Sequence, residues 1–282
     1  MRTFDSTPIK ADDIVPYKKT EKDDLELHIF YPENFDPTKD KARPSIVLFY
    51  GGGWSGGSIY HFYNQAKYLA TRGMVAICPN YRTKSSHGVS PEFCISDAKS
   101  AIRFIRKNAA DYGVDPSELA AGGGSAGGHI AAAAALTDHF DDPEDDLNIS
   151  SKPDLLVLFN PVIDNGPEGY GYERVKSNYE KISPMHNIKK GMPPCLFMLG
   201  DRDSLIPVAT GEKFKALAEA VGTECELIIY PDAEHGFFNR RTKEEEQPFI
   251  ETLKATDKFL VKHGYLKGAE NVDNWVAEVL IN

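Results

Sequence analysis

Ser125 is the central residue of Gly123-Gly124-Ser125-Ala126-Gly127, a G-x-S-x-G pattern within the glycine-rich stretch GGGSAGGH at 122–129. A short apolar stretch, Leu119–Ala121, precedes it, and an alanine-rich, helix-forming run follows. That is the setting of a serine on a tight strand-to-helix turn. The strained backbone there requires small residues two before and two after, and it holds the hydroxyl out for reaction. The same turn places the Ala126 N–H at a helix N-terminus, beside any oxyanion forming on a substrate. A phosphate loop fits less well, because the Lys-Ser/Thr of a Walker A loop is missing and dinucleotide binding needs an early G-x-G-x-x-G unit. A second glycine cluster, Gly51-Gly52-Gly53, directly follows the apolar run IVLFY at 46–50. Without Cβ atoms, Gly52 and Gly53 can bring backbone N–H groups against a ligand. With Ala126 they would form an oxyanion hole, worth about 3–4 kcal/mol per donor. Alone, the triplet reads equally as a flexible loop.

A serine hydroxyl is a weak nucleophile until a base takes its proton. Of eight histidines, His235 stands out: it lies in DAEHGFF at 232–238, just past the last apolar strand pattern. Sheets of alternating strands and helices gather reactive groups at the carboxyl ends of their strands. His129, four residues past Ser125 on the same expected helix, should point into packing. The remaining six have surface or core readings, with His61 and His87 also placed to line a site. The imidazole in turn needs a carboxylate to fix its tautomer. GDRDSLIP at 200–207 offers Asp203, just before the apolar Leu205-Ile206 turn, with Asp201, nearer the strand end, as the alternative. Trp54, Tyr60, Phe62 and Tyr63 follow the glycine triplet; they either stack on a sugar ring or pack in the core. Phe237 and Phe238 either wall an acyl pocket or pack beneath the histidine loop. Trp54 and Phe237 are therefore candidate substrate contacts. Arg82 and Asp97 read as a structural ion pair, and Asn160-Pro161 ends a strand without an assigned role.

These residues need elements to position them. Leu25–Tyr31 alternates as a half-buried strand does, while IVLFY, VAIC, LLVLF, LFML and LIIY are continuous apolar runs. Such runs suit strands covered on both faces of a parallel sheet. Helical patterns lie between them at Tyr63–Thr71, Pro91–Ala110, Ala126–Leu136, Val208–Val221 and Glu246–His263. The alternation predicts an α/β layer architecture with right-handed crossovers. With no internal repeat and no long linker, residues 1–282 read as a single domain. Residues 1–24 are expected to be a polar lead-in, and 161–193 an insertion rimming the site. The segment DHFDDPEDD, 138–146, lacks the glycine and glutamate placement of a calcium loop and reads as solvated.

Composition closes other routes. A net charge of −10 disfavours nucleic acid and anionic membrane, since phosphate binding needs a basic face. No apolar run approaches the ~18–20 residues of a membrane span. The start, MRTFDSTPIK, has no apolar signal region, so the chain as written is expected in the cytoplasm, or secreted or periplasmic if a signal peptide has been removed. The four cysteines show no CxxC spacing, which excludes zinc ribbons; a Cys78–Cys94 bridge stays open, against single buried thiols. Glycine totals 23, close to average, yet ten fall at 51–57 and 122–128.

GGGW, NYR at 80–82, GGSAGGH, GDRDSLIP and EHGFF together make the chain resemble the α/β-hydrolase superfamily over roughly residues 25–262. Within it the chain is similar to hormone-sensitive-lipase-like and bacterial acetyl or xylan esterases. The chain order Ser125, Asp203, His235 is that of this superfamily. The resemblance implies a mostly parallel sheet of about eight strands, no cofactor or metal, and a Ser-His-Asp acyl-enzyme mechanism. Tyr50 stands where the usual HGGG motif has histidine, which leaves the anchoring of the glycine loop open. The short segment before the first expected strand leaves no room for a bulky N-terminal cap. An uncapped site suits short acyl groups on a polar alcohol, so acetyl esters of carbohydrate are the expected substrates, with self-association left open. A peptidase of the same fold and a non-catalytic ligand-binding member are the alternatives.

Overall fold

The computed structural model describes residues 9–240 and 246–280; residues 1–8 of the expected lead-in lie outside the described residues. Strands β1 (Asp13–Lys19), β2 (Asp24–Phe30), β3 (Arg43–Phe49), β4 (Val75–Pro79), β5 (Val114–Gly124), β6 (Leu155–Phe159), β7 (Cys195–Gly200) and β8 (Cys225–Tyr230) form one sheet. Their spatial order is β1-β2-β4-β3-β5-β6-β7-β8. Pairings within β1-β2-β4 are antiparallel. From β4 onward every pairing is parallel. This is the mostly parallel, about eight-stranded sheet that the sequence led us to expect.

Four of the five continuous apolar runs, in β3, β4, β6 and β7, are buried on both faces as expected, whereas LIIY lies in the half-buried edge strand β8. Successive side chains of a strand point to opposite faces. In β3, Val47 and Phe49 enter one apolar layer and Ile46 and Leu48 the other. Helices α2 (Pro91–Lys107) and α3 (Ala126–Leu136) cover the first face, joined by Phe214 and Ala218 of α4 (Val208–Ala220). Helices α1 (Tyr63–Thr71) and α5 (Glu246–Lys262) cover the second.

Two expectations are corrected. Residues 13–19, assigned to the lead-in, form strand β1. Its sequence, DIVPYKK, carries a proline and three charges, which a central strand would not tolerate. As an edge strand it accommodates Pro16 at a register shift between Pro16 and Lys18. The acidic segment 138–146 is tied to α2 rather than solvated along its length. Lys99 and Arg103 of α2 hold Asp141, Arg103 also reaches Asp145, and Lys18 of β1 reaches Asp142. All four cysteines are buried and free, so Cys78 and Cys94 are not bridged, and burial pushes both thiols up.

Asp97 of α2 joins these parts. Its buried carboxylate accepts from Lys18 at 2.8 Å, from the Arg82 guanidinium at 2.6 and 2.9 Å, and from the Arg82 N–H at 3.0 Å. The Arg82–Asp97 pair read from the sequence is thus one arm of a larger cluster. Truncating one partner of a buried ion pair leaves the others uncompensated, at a cost of about 3–5 kcal/mol. Asp97→Ala should lower unfolding stability by that order in urea titrations. An unchanged midpoint would show that the cluster carries no stability.

Candidate active site

Ser125 occupies the junction of β5 and α3 with φ 52° and ψ −118°. A positive φ in a residue with a Cβ costs about 1–3 kcal/mol and persists only where surroundings impose it. Here the Ser125 N–H donates to the Phe159 carbonyl at 3.0 Å, and its own carbonyl accepts from His129 (3.0 Å) and Val162 (3.1 Å). The flanking glycines are dictated by space. A Cβ on Gly123 would lie 2.6 Å from the Gly127 carbonyl carbon, and one on Gly127 would lie 2.6 Å from that of Phe49. Strands β3 and β5 and the start of α3 meet too closely there for any side chain.

Two loops bring the other expected residues to Ser125. His235 lies in the turn after β8, and its Nε2 is 2.9 Å from Ser125 Oγ. Its Nδ1 is 2.7 Å from Asp203 Oδ2. The carboxylate accepts from Nδ1–H, which leaves Nε2 to accept from the serine hydroxyl. The other oxygen of Asp203, Oδ1, accepts from the Leu205 and Ile206 N–H groups at 2.8 and 2.9 Å, so the carboxylate is fully engaged. Asp201 is exposed, and its N–H continues the β7–β8 ladder by donating to the Tyr230 carbonyl. The side chain that turns inward is two residues further on.

Gly52 and Gly53 border a cavity of about 420 Å³ that also contains Ser125, His235, Leu205, Phe238, Tyr170 and Arg174. Gly52 has φ 132°, a conformation open in practice to glycine alone. Ala126 is buried at the first turn of α3, next in sequence to Ser125. The anchoring that Tyr50 left open is a reciprocal pair. Tyr50 and Tyr81 stack with ring centroids 4.2 Å apart. The Tyr50 hydroxyl donates to the Tyr81 carbonyl (3.1 Å), and the Tyr81 hydroxyl donates to the Tyr50 carbonyl (2.7 Å).

The aromatic candidates are corrected. Trp54 is only 2% exposed and does not border the cavity; its indole N–H donates to His129 Nδ1 at 3.2 Å. Phe237 packs on Tyr230, and Phe238, one residue on, faces the cavity instead. Phe62 and Tyr63 are core residues, and Tyr60, although exposed, lies outside the cavity lining. His61 does border the cavity, whereas His87 pairs with Asp23 away from it. Sequence reasoning gave Asn160 no role. It is fully buried, its Oδ1 accepts from the Gly236 N–H at 3.0 Å, and its Nδ2 lies 3.4 Å from His235 Nε2. Its place directly after β6 was the available signal.

His129 packs inward, as expected, and it also holds the insertion. With Nδ1 accepting from Trp54, Nε2–H faces Asn165 Oδ1 (3.0 Å) and the Ile182 carbonyl (3.1 Å). Asn165 in turn donates to the carbonyl of Tyr170 (3.0 Å). Residues 161–193 fold into short helical turns between β6 and β7 and bring Tyr170 and Arg174 to the cavity mouth.

Comparison with known proteins agrees with this fold. The BD-FAE family model matches residues 27–167, half of the chain, and the dienelactone hydrolase family model matches residues 169–264. Esterase 2 of Thermogutta terrifontis, in a propionate-bound structure, superposes with a TM-score of 0.86 at 39% identity. That match covers 92% of this chain and 96% of the other. The same enzyme phosphoramylated by tabun gives 0.86 at 40% identity, covering 91% of this chain and 96% of the other. The acetylxylan esterase of Xylanibacter ruminicola is 27% identical over 225 residues, 74% of this chain and 42% of that protein. Endo-1,4-beta-xylanase B of Butyrivibrio fibrisolvens is 28% identical over 210 residues, 70% of this chain and 33% of that protein. The chain thus spans a third to under half of the length of these two curated relatives. The chain belongs to the BD-FAE family and, by fold and sequence together, to the α/β-hydrolase esterases. Among the described residues no helix is long and apolar enough to cross a membrane.

Burial lowers the pKa of His129 from 6.5 to about 4. Between those values the unfolded chain binds a proton that the folded chain refuses. The stability that His129 contributes is therefore complete above pH 6.5 and is lost as pH falls toward 4, by about 1.4 kcal/mol per pH unit. Denaturant titrations across this window should show the wild type losing stability by that slope more steeply than His129→Gln. Parallel curves would contradict the assignment.

Proposed function

We propose that this chain is a serine carboxylester hydrolase that removes short acyl groups, acetyl above all, with O-acetylated carbohydrate as its natural substrate. Residues 1–282 act as one catalytic domain in this reading. Ser125 Oγ attacks the ester carbonyl carbon while His235 Nε2 takes the hydroxyl proton. Asp203 orients the imidazole and stabilises its cation. The N–H groups of Gly52, Gly53 and Ala126 receive the negative charge that develops on the carbonyl oxygen. Collapse of the tetrahedral intermediate breaks the bond to the alcohol, which leaves with the proton from His235. Water, deprotonated by the same imidazole, then attacks the acyl-enzyme, releasing the carboxylic acid and restoring Ser125.

The observation that carries this reading is the unbroken hydrogen-bonded chain Ser125–His235–Asp203, opening on a cavity flanked by Gly52 and Gly53. Leu205 and Phe238 border that cavity and favour a small acyl group. The polar mouth at Tyr170 and Arg174 suits a hydroxyl-rich alcohol. The likeness to an acetylxylan esterase supports a glycan as that alcohol.

Hydrolysis of p-nitrophenyl acetate, butyrate and octanoate, and acetate release from acetylated xylan, test the proposal. The acetate ester should be cleaved fastest and xylan should release acetate. Ser125→Ala and Asp203→Asn should each lose about 10⁴-fold or more in kcat. Equal rates for wild type and Ser125→Ala would overturn the mechanism. Preference for octanoate would overturn the short-acyl assignment, and no acetate from acetylated glycans would overturn the carbohydrate one.

A further inference from the structure

His61 sits in the short turn Ile59–Phe62, outside every motif that marks the site, yet it borders the cavity holding Ser125. Its Nδ1 accepts the Gly51 N–H at 3.1 Å. A backbone N–H only donates, so Nδ1 carries no proton and the imidazole is the neutral Nε2–H tautomer. Nε2–H then donates to Asn239 Oδ1. This orients the Asn239 amide, whose Nδ2 donates to the Gly236 carbonyl at 2.7 Å. The N–H of Gly236 is held in turn by Asn160 Oδ1 at 3.0 Å. Asn160 and Asn239 are 0% and 6% exposed, so these bonds are shielded from competing water. The result is one hydrogen-bonded path from Gly51 through His61, Asn239 and Gly236 to Asn160. It joins the glycine loop to the residue that follows His235.

The path answers a physical need. Donors stabilise an oxyanion only if they are aimed before charge develops, because reorienting them during the reaction forfeits the gain. A run of three glycines has no side chains to hold it, and glycine has the largest backbone freedom to lose. The Tyr50–Tyr81 pair fixes the start of this run; beyond it, the Gly51 N–H is the first group that a side chain from another element can hold. Because that N–H is spent on His61, the donors left for substrate are those of Gly52 and Gly53. The imidazole is held in place by ring contacts with Phe238 (centroids 5.4 Å apart) and Phe62 (5.0 Å).

We propose that His61 is a positioning residue of the esterase reaction: it aims the oxyanion loop through Gly51 and locks that loop, through Asn239, to the loop carrying His235. The proposal rests on the serine-esterase reading given above. His61 takes no proton from substrate and touches no reacting atom. It acts on the transition state, where oxyanion bonds tighten, and so on kcat more than on KM.

Steady-state hydrolysis of p-nitrophenyl acetate, normalised to active sites titrated with diethyl p-nitrophenyl phosphate, tests this in wild type, His61→Phe, His61→Asn, His61→Gln and Asn239→Ala. His61→Phe keeps the ring contacts and loses both hydrogen bonds. Its kcat per titrated site should fall about 10²-fold, with KM changed by less than about threefold. His61→Asn puts an acceptor where Nδ1 stood and should recover about tenfold of that loss. His61→Gln reaches only toward Asn239 and should recover less. Asn239→Ala should lose kcat without adding fully to His61→Phe in the double variant, as members of one network do. A His61→Phe enzyme with wild-type kcat per active site overturns the proposal, as does one whose loss appears only in the titrated fraction. Should His61→Phe not fold, the Asn and Gln variants decide: equal kcat for the two overturns it. An inactive wild type would instead refute the esterase reading itself.

Discussion

The backbone turn at Ser125 is the constraint on which the remaining structure depends. With φ at 52°, it is stable only because the Ser125 peptide groups are bonded to β6, to α3 and to the segment after β6. That demand explains why glycines stand at 123 and 127, where β3, β5 and α3 approach within the reach of a single Cβ. It also explains why β5 runs between β3 and β6 at the centre of the sheet. A central parallel strand gives the turn rigid neighbours on both sides, and the loops leaving the adjacent strand ends converge on it. The glycine loop follows β3, Asn160 follows β6, Asp203 follows β7 and His235 follows β8.

Polar groups around the turn are buried but paired, which lets them hold fixed directions at low cost. Asp203 uses both carboxylate oxygens, Asn160 and Asn239 grip Gly236 from its two sides, and His129 joins α3 to the insertion. Away from the site, Asp97, Asp141, Asp142 and Asp145 are paired with Lys18, Arg82, Lys99 and Arg103 near α2. The cation at the cavity mouth, Arg174, donates to the Gly53 carbonyl at 2.6 Å and lies over the Trp54 and Tyr170 rings.

Much of this was legible in the residues, for identifiable reasons. Continuous apolar runs mark five of the eight strands closely, and four of those five are covered on both faces; β8 is a half-buried edge strand. The glycines around Ser125 mark the turn because no other residue fits it. Asp203 could be preferred over Asp201 because an apolar turn follows it. What stayed hidden depends on contacts distant in sequence. Edge strand β1 carries Pro16 and charges that resemble a loop, and only pairing with β2 makes it a strand. Trp54 and Phe237 looked like pocket residues because aromatic character reports burial, not the direction of burial. Their neighbours and partners decided that Phe238 faces the cavity. The bonds linking His61 to Asn239 and Asn160 to Gly236 span 178 and 76 residues, beyond any local pattern.

The central claim is that the Ser125 turn presents a nucleophile activated by His235. Its most direct test is exposure of the intact protein to diethyl p-nitrophenyl phosphate, followed by peptide mass spectrometry to locate the phosphoryl group. Stoichiometric release of p-nitrophenol and a single adduct, on Ser125, are expected. No adduct at Ser125, or equal labelling of a nearby serine such as Ser55 or Ser204, would contradict it.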